Sequence, residues 1–148
     1  MRTRHVTDPK ELEAIIARCQ WCHVAMTGTD GLPYVIPMNF GYREGVIYLH
    51  GSARGKKIDS LRQRPEVCVN FSADHLLRYQ SEDVACSWSM KYRSVLCHGK
   101  AEFITDPDEK CRILDIIMAQ YSDREFKYNP PAIREVCVFR VPVERMEG

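Results

Sequence analysis

Apolar positions along the chain follow two periods, one near 3.6 residues and one of two. Leu12, Ile15, Ile16 and Cys19 recur at helical spacing behind Asp8-Pro9-Lys10-Glu11. That tetrapeptide supplies an N-cap, a proline at the first helical position and an early acid, so residues 9 to 20 are predicted to form an amphipathic helix. The period then shortens. Cys22 to Thr27 reads as a strand, Thr29-Asp30-Gly31 as a turn, and Pro33 to Tyr42 as a second strand. A turn at Arg43-Glu44-Gly45 leads into a third, Val46 to His50, whose residues are β-branched, aliphatic and aromatic. Ile58 and Leu61 return to helical spacing, with Pro65 limiting that helix to about Arg64. Glu66 to Ser72 is a fourth strand, and the polar, mixed residues 73 to 86 read as a connection with a short helical turn.

Tyr92 to Ile104 alternates throughout and is predicted as one long strand. Arg93, Val95, Cys97, Gly99, Ala101 and Phe103 form one face, small enough for a narrow barrel interior, with Gly99 at a bulge or bend. Asp106-Pro107-Asp108-Glu109 repeats the helix-start pattern, and Cys111, Leu114, Met118 and Tyr121 are expected on the buried stripe. Asn129-Pro130-Pro131 should break the chain before a last strand, Val136 to Val143. Six mostly antiparallel strands with helices at the ends and one inserted predict an α+β domain, mainly β: a small closed β-barrel with peripheral helices.

Composition narrows the function classes. At 148 residues, 45% hydrophobic and 28% charged, the sequence is that of one soluble domain spanning residues 1 to 148. A net charge of +1 provides no field for nucleic acid or an anionic membrane. No apolar run reaches transmembrane length and no signal-peptide core follows Met1 to His5, so a cytoplasmic location is expected. Seven cysteines, an odd number, fit reduced thiols. Cys19-Gln20-Trp21-Cys22-His23 matches the c-type haem attachment spacing, but Cys19 belongs to a helix stripe and Cys22 to an apolar strand. Buried structural thiols are the expectation, and no metal site is predicted because no second ligand pair has suitable spacing.

The chemistry concentrates where the third strand ends. Gly51, Ser52, Arg54, Gly55, Lys56 and Lys57 separate strand from helix. Cations at a helix start oppose the macrodipole, at about 0.3–1 kcal/mol each, and a bound anion would reverse that cost. Free backbone N–H groups, glycines permitting close approach and the cations together describe a phosphate site. A solvated basic turn has the same composition. A P-loop is excluded, because three residues rather than four lie between Gly51 and Gly55 and Lys57 stands where Ser or Thr is needed.

With the elements in this order, the sequence resembles the flavin-binding split barrels related to pyridoxamine 5′-phosphate oxidase, and most of all the smaller nitroimidazole-resistance flavoproteins. The resemblance runs from about Leu12 to Val143. It is carried by Pro33-Tyr-Val-Ile-Pro-Met38-Asn-Phe40, by Ile47-Tyr-Leu-His50 with Gly55-Lys-Lys57 and Leu61, by Arg64-Pro65-Glu66-Val67, and by Trp88-Ser-Met-Lys-Tyr92-Arg93-Ser94-Val95 leading to Gly99. It implies a six-stranded antiparallel split β-barrel that binds FMN at the interface of a homodimer. The segment from Tyr34 through Pro37, Met38, Asn39 and Phe40 would lie along the flavin ring. The loop from Ser52 through Gly55, Lys56 and Lys57 would take the phosphate, with Lys57 on the family's phosphate lysine. Trp88, Tyr92, Arg93 and Ser94 would reach the flavin pocket, often that of the partner subunit. The residue types agree: Trp88 and Tyr92 offer a flat apolar wall and Arg93 a phosphate-capable fork, although Trp88 also suits an ordinary core.

His50 is the candidate catalytic residue. A histidine at the matching place sits by the flavin in nitroimidazole-resistance proteins, and free imidazole titrates at about 6.5, which suits proton transfer beside a hydride donor. A histidine at a strand end can equally serve only to hydrogen-bond. The chain ends Phe139-Arg-Val-Pro-Val-Glu-Arg-Met-Glu-Gly148, without the Arg-Leu-His segment that grips the substrate in pyridoxamine 5′-phosphate oxidases, so that activity is not expected. The reading is an FMN-dependent oxidoreductase that reduces a small acceptor such as a nitroaromatic compound. The alternative is a non-catalytic flavin- or haem-binding carrier or sensor.

Overall fold

A computed structural model of the chain describes residues 3–148; Met1 and Arg2, the first residues of the Met1 to His5 stretch, lie outside the described residues. Helix α1 (Pro9–Ala17) begins as its sequence dictates: the Asp8 carboxylate accepts the Lys10 N–H at 3.1 Å, and Leu12, Ile15 and Ile16 are buried. It is followed by β1 (Cys22–Thr27), β2 (Pro33–Met38), β3 (Gly41–Arg43), β4 (Val46–Gly51), α2 (Lys56–Gln63) and β5 (Glu66–Arg78). After a 3-10 turn at Ala85–Ser87 come β6 (Ser89–Lys100), β7 (Glu102–Ile104), α3 (Pro107–Ala119), α4 (Pro130–Glu135) and β8 (Cys137–Glu147). The α+β, mainly antiparallel class is as expected.

The strand count is not. There are eight strands rather than six, all paired antiparallel, in the order β2-β1-β5-β6-β8-β4-β3 with β7 also on β8. The sheet does not close on itself by hydrogen bonds, and β2 and β3 form its two edges. Pro33 to Tyr42 is split because Phe40 turns into the core, fully buried and edge-on to Phe71 with ring centroids 4.8 Å apart. Its N–H donates to the Tyr121 hydroxyl at 3.0 Å instead of to a neighbouring strand. Tyr92 to Ile104 divides at Ala101, whose N–H donates to the Pro65 carbonyl. Just before the break the register shifts between His98 and Gly99. A Cβ at Gly99 would collide with the Pro142 carbonyl, so the bend predicted there is one that only glycine permits. The long strand β8 then holds β6 at one end and β7 and β4 at the other.

Three further expectations are corrected. Residues 73 to 78 are strand, not connection, since β5 continues to Arg78 and pairs with β6 from Ser89 onward. Asn129-Pro-Pro131 does not simply break the chain: Pro130 and Pro131 open the short helix α4, where missing N–H groups cost nothing. Helix α3 buries Lys110, Ile113, Ile116 and Ile117, not the stripe through Cys111, Leu114, Met118 and Tyr121. The helix has two apolar arcs, and Gly41 chooses between them. A Cβ there would lie 2.9 Å from the Ile117 backbone, so its absence lets the isoleucine face settle on β3 and β4. The Lys110 amine donates to the Val136 carbonyl at 2.8 Å and the Ile133 carbonyl at 3.1 Å, which satisfies the end of α4 from below. Among the described residues no helix is long and apolar enough to cross a membrane.

Candidate functional site

The turn between β4 and α2 is built around an uncapped helix start. Gly55 is the N-cap residue, with φ +121°, a backbone state that side chains rarely adopt, and no side chain caps the first turn. Ser52 Oγ accepts the Arg54 N–H at 3.4 Å. The Lys57 amine lies 2.5 Å from where a Cβ on Gly51 would be, so the glycine clears the space into which this amine folds. The Lys56 amine sits 4.5 Å from the centre of the Tyr34 ring, a cation–π contact that joins α2 to β2. Arg64 at the far end of α2 donates to the Gly28 carbonyl at 3.2 Å, tying the same helix to the end of β1. Among the described residues no carboxylate pairs with Arg54, Lys56 or Lys57. Unbalanced cations, an uncapped helix start and a glycine-cleared space suit a phosphate.

His50 is half-buried at the end of β4. Burial first, and then the neighbouring Lys57 charge, lower its pKa below the ordinary histidine value. The β3–β4 ladder ends at Gly41–Tyr48, so His50 lies two residues past it, where β4 is paired with β8. Met38 is buried, whereas Pro37 and Asn39 are exposed. The structure thus brings together the β2 segment, His50 and the Ser52–Lys57 turn.

It does not bring Trp88, Tyr92 and Arg93 to that place within one chain. The α2 end of the sheet holds Thr27, Glu66 and Lys100, and Glu66 is paired with Lys100. Trp88 lies beyond the opposite end of β6, about 40 Å along the strand from Lys100 at the usual rise per residue. Beyond the barrel, β5 and β6 form a two-stranded arm in which no residue from Asp74 to Arg93 is buried. Trp88 is 40% exposed, stacks on Tyr79 at 4.3 Å, and donates from Nε1 to the Glu82 carbonyl. Tyr92 is 58% exposed. Arg93 is held by Asp74 at 2.9 Å, so its fork is already engaged. Ser94 is half-buried at the arm's root.

Residues that sequence reasoning missed act across long separations. Tyr121 fixes the Phe40 backbone, and Gly28 and Arg64 seat α2; no local pattern announces such pairs. The thiols of the haem-like motif face inward: Cys19 and Cys22 are buried, and burial pushes the Cys22 thiol up to about 12. His98 stands 3.2 Å from Glu147, and His75 stands 2.8 Å from Ser72 Oγ.

Comparison with known proteins follows the same outline. A family model described as pyridoxamine 5′-phosphate oxidase matches residues 8–148. The chain belongs to this family. No curated protein matches the sequence. Among solved structures, a candidate 5-nitroimidazole antibiotic resistance protein from Bacteroides thetaiotaomicron is 44% identical, with a TM-score of 0.89 over 99% of this chain and 86% of that one. A flavocytochrome from Azotobacter vinelandii, 24% identical, has a TM-score of 0.81 over 97% of this chain and 67% of that one. An FAD- and haem-binding protein from Mycobacterium smegmatis, 19% identical, has a TM-score of 0.84 over 98% and 72%. These last two share the fold, which this pyridoxamine 5′-phosphate oxidase family member therefore has in common with flavin-binding split barrels.

Proposed function

We propose that this chain is an FMN-binding oxidoreductase, acting as a homodimer, that reduces a small acceptor such as a nitroaromatic compound. The observation that carries the proposal is the set of unpaired cations around Gly51, Gly55 and the start of α2, beside β2 and His50. Lys57, with Lys56 and the first-turn N–H groups, would hold the phosphate. The β2 segment from Tyr34 to Phe40, an edge strand with β1 on one side only, has backbone donors and acceptors to offer a flavin ring. FMN, when bound, supplies the hydride chemistry; the protein supplies position and electrostatics. At neutral pH the lowered pKa keeps the His50 imidazole mainly neutral, ready to accept or relay a proton at the acceptor.

The sheet geometry supports the dimer. The apolar arm and the cation turn lie at opposite ends of the strands, so a twofold axis across the sheet would lay one chain's Trp88 and Tyr92 near its partner's turn. The 44% identical protein named for nitroimidazole resistance supports the acceptor class.

The test is an absorption spectrum of purified protein with mass analysis of the released ligand, followed by turnover. FMN at about one per chain is expected, reduced by a nicotinamide donor and reoxidised by a nitroaromatic. No binding at micromolar FMN would remove the proposal, and a bound flavin that no acceptor reoxidises would make the protein a carrier.

A further inference from the structure

The arm has two unlike faces. Cross-strand register puts Leu77 opposite Met90, and alternation adds Tyr79, Trp88 and Tyr92 to the same side. The other side carries Arg78, Lys91 and Arg93 with one apolar residue, Leu76. The apolar side continues the outer face of the barrel, since Ser94, Leu96 and His98 share its parity along β6. A second copy packed on that outer face would meet the apolar side of the arm. How the arm leaves the barrel then decides how well it fits.

That angle is set at one place. Between Ala73 and Leu76 the register shifts, so Asp74 and His75 together oppose Tyr92. Asp74 takes φ +57°, in the left-handed region that Asp and Asn tolerate best among side-chain-bearing residues. Its Oδ1 accepts from Arg18 Nε at 3.3 Å, and its Oδ2 accepts from Arg18 at 2.8 Å and from Arg93 at 2.9 Å. Arg18 is the C-cap residue of α1 and also donates to the Ala14 carbonyl at 3.0 Å. One carboxylate therefore ties the end of α1 to both strands of the arm.

We propose that Asp74 is the positioning residue of the arm, its carboxylate fixing the angle at which the apolar face meets a second copy of the chain. The proposal rests on the FMN-dimer reading for its consequence, closure of the partner's flavin site. A two-stranded ribbon with no core of its own is soft, and a bulge is where it bends. With Trp88 about 20 Å from the root, a swing of about 15° would move the ring by about 5 Å, enough to lose an aligned aromatic contact. Exposed ion pairs add little to global stability, so a positioning role and a structural role separate by experiment.

The experiment uses the full chain with Trp21→Phe, which leaves Trp88 as the only tryptophan, and adds Asp74→Asn. Asparagine keeps the left-handed backbone and removes the charge. Expected are an unchanged melting temperature for the flavin-free chain at concentrations where it is monomeric, faster Trp88 depolarisation, and dimer and FMN affinities each weaker by about fivefold to tenfold. The FMN-to-riboflavin preference should be unchanged. Arg18→Gln should give the same losses, and combining the two changes should add nothing further. Dimer affinity and depolarisation need no flavin, so an FMN reading that fails leaves them able to judge Asp74. Unchanged values of both in Asp74→Asn, additive losses with Arg18→Gln, or a melting temperature that falls in step would overturn the role.

Discussion

Replacing Lys57 with alanine tests the anion site most directly. The amine folds over Gly51, has no carboxylate partner among the described residues, and lies close enough to His50 to lower its pKa. A cation left unbalanced in this way gives its full charge-assisted hydrogen bond to a phosphate. One such contact contributes about 1.5–3 kcal/mol, or about a tenfold to hundredfold loss of FMN affinity on removal. Riboflavin has the same ring and no phosphate, so its affinity should change little. Fluorescence titration of both ligands against wild-type and Lys57→Ala protein, at two ionic strengths, measures the difference. Higher salt should narrow the gap, because this part-exposed charge is screened. Equal losses for FMN and riboflavin would refute the reasoning and make Lys57 a structural residue on a solvated basic turn.

Trp88→Ala should weaken the dimer by about 2 kcal/mol, roughly thirtyfold, while leaving the barrel folded; sedimentation at several concentrations with and without FMN reads this, and a strictly monomeric wild type that still binds FMN tightly would sink the interface. His50 should titrate below the free-imidazole value by NMR, and Lys57→Ala should raise its pKa only part of the way, because burial is the larger cause. A depressed histidine pKa favours the fold most above the unfolded value of about 6.5, and that stability is lost as pH falls from there through the folded value; a titration at or above the free value would contradict this. Gly99→Ala should destabilise by about 1–3 kcal/mol through overpacking against the Pro142 carbonyl, and an unshifted urea midpoint would show that the bend can relax.

Much of this was local and therefore legible. Asp8 and Asp106 cap their helices because N-cap chemistry needs only the next few residues. Cys22 to Thr27 and Val46 to Gly51 are strands because their composition suits a pleated surface. The grouping of glycines and cations around the start of α2 was legible since strand, turn and helix start are adjacent in the chain. The bend at Gly99 followed from a glycine in an otherwise alternating strand.

What pairing across the chain decides could not be read there. Residues 74 to 78 are strand because β6 supplies hydrogen-bond partners, although none of them is buried. The choice between two apolar arcs of α3 was made by Gly41, some 76 residues earlier than Ile117, through a contact that only packing creates. Phe40 leaves the strand because Tyr121 offers its backbone a partner. Arg93 has the right chemistry for a phosphate, and only the tertiary structure gives it to Asp74. Local sequence determines which conformations a segment can adopt cheaply. The three-dimensional arrangement determines which of them finds its hydrogen bonds and burial, and here that places Trp88 and Lys57 at opposite ends of one sheet.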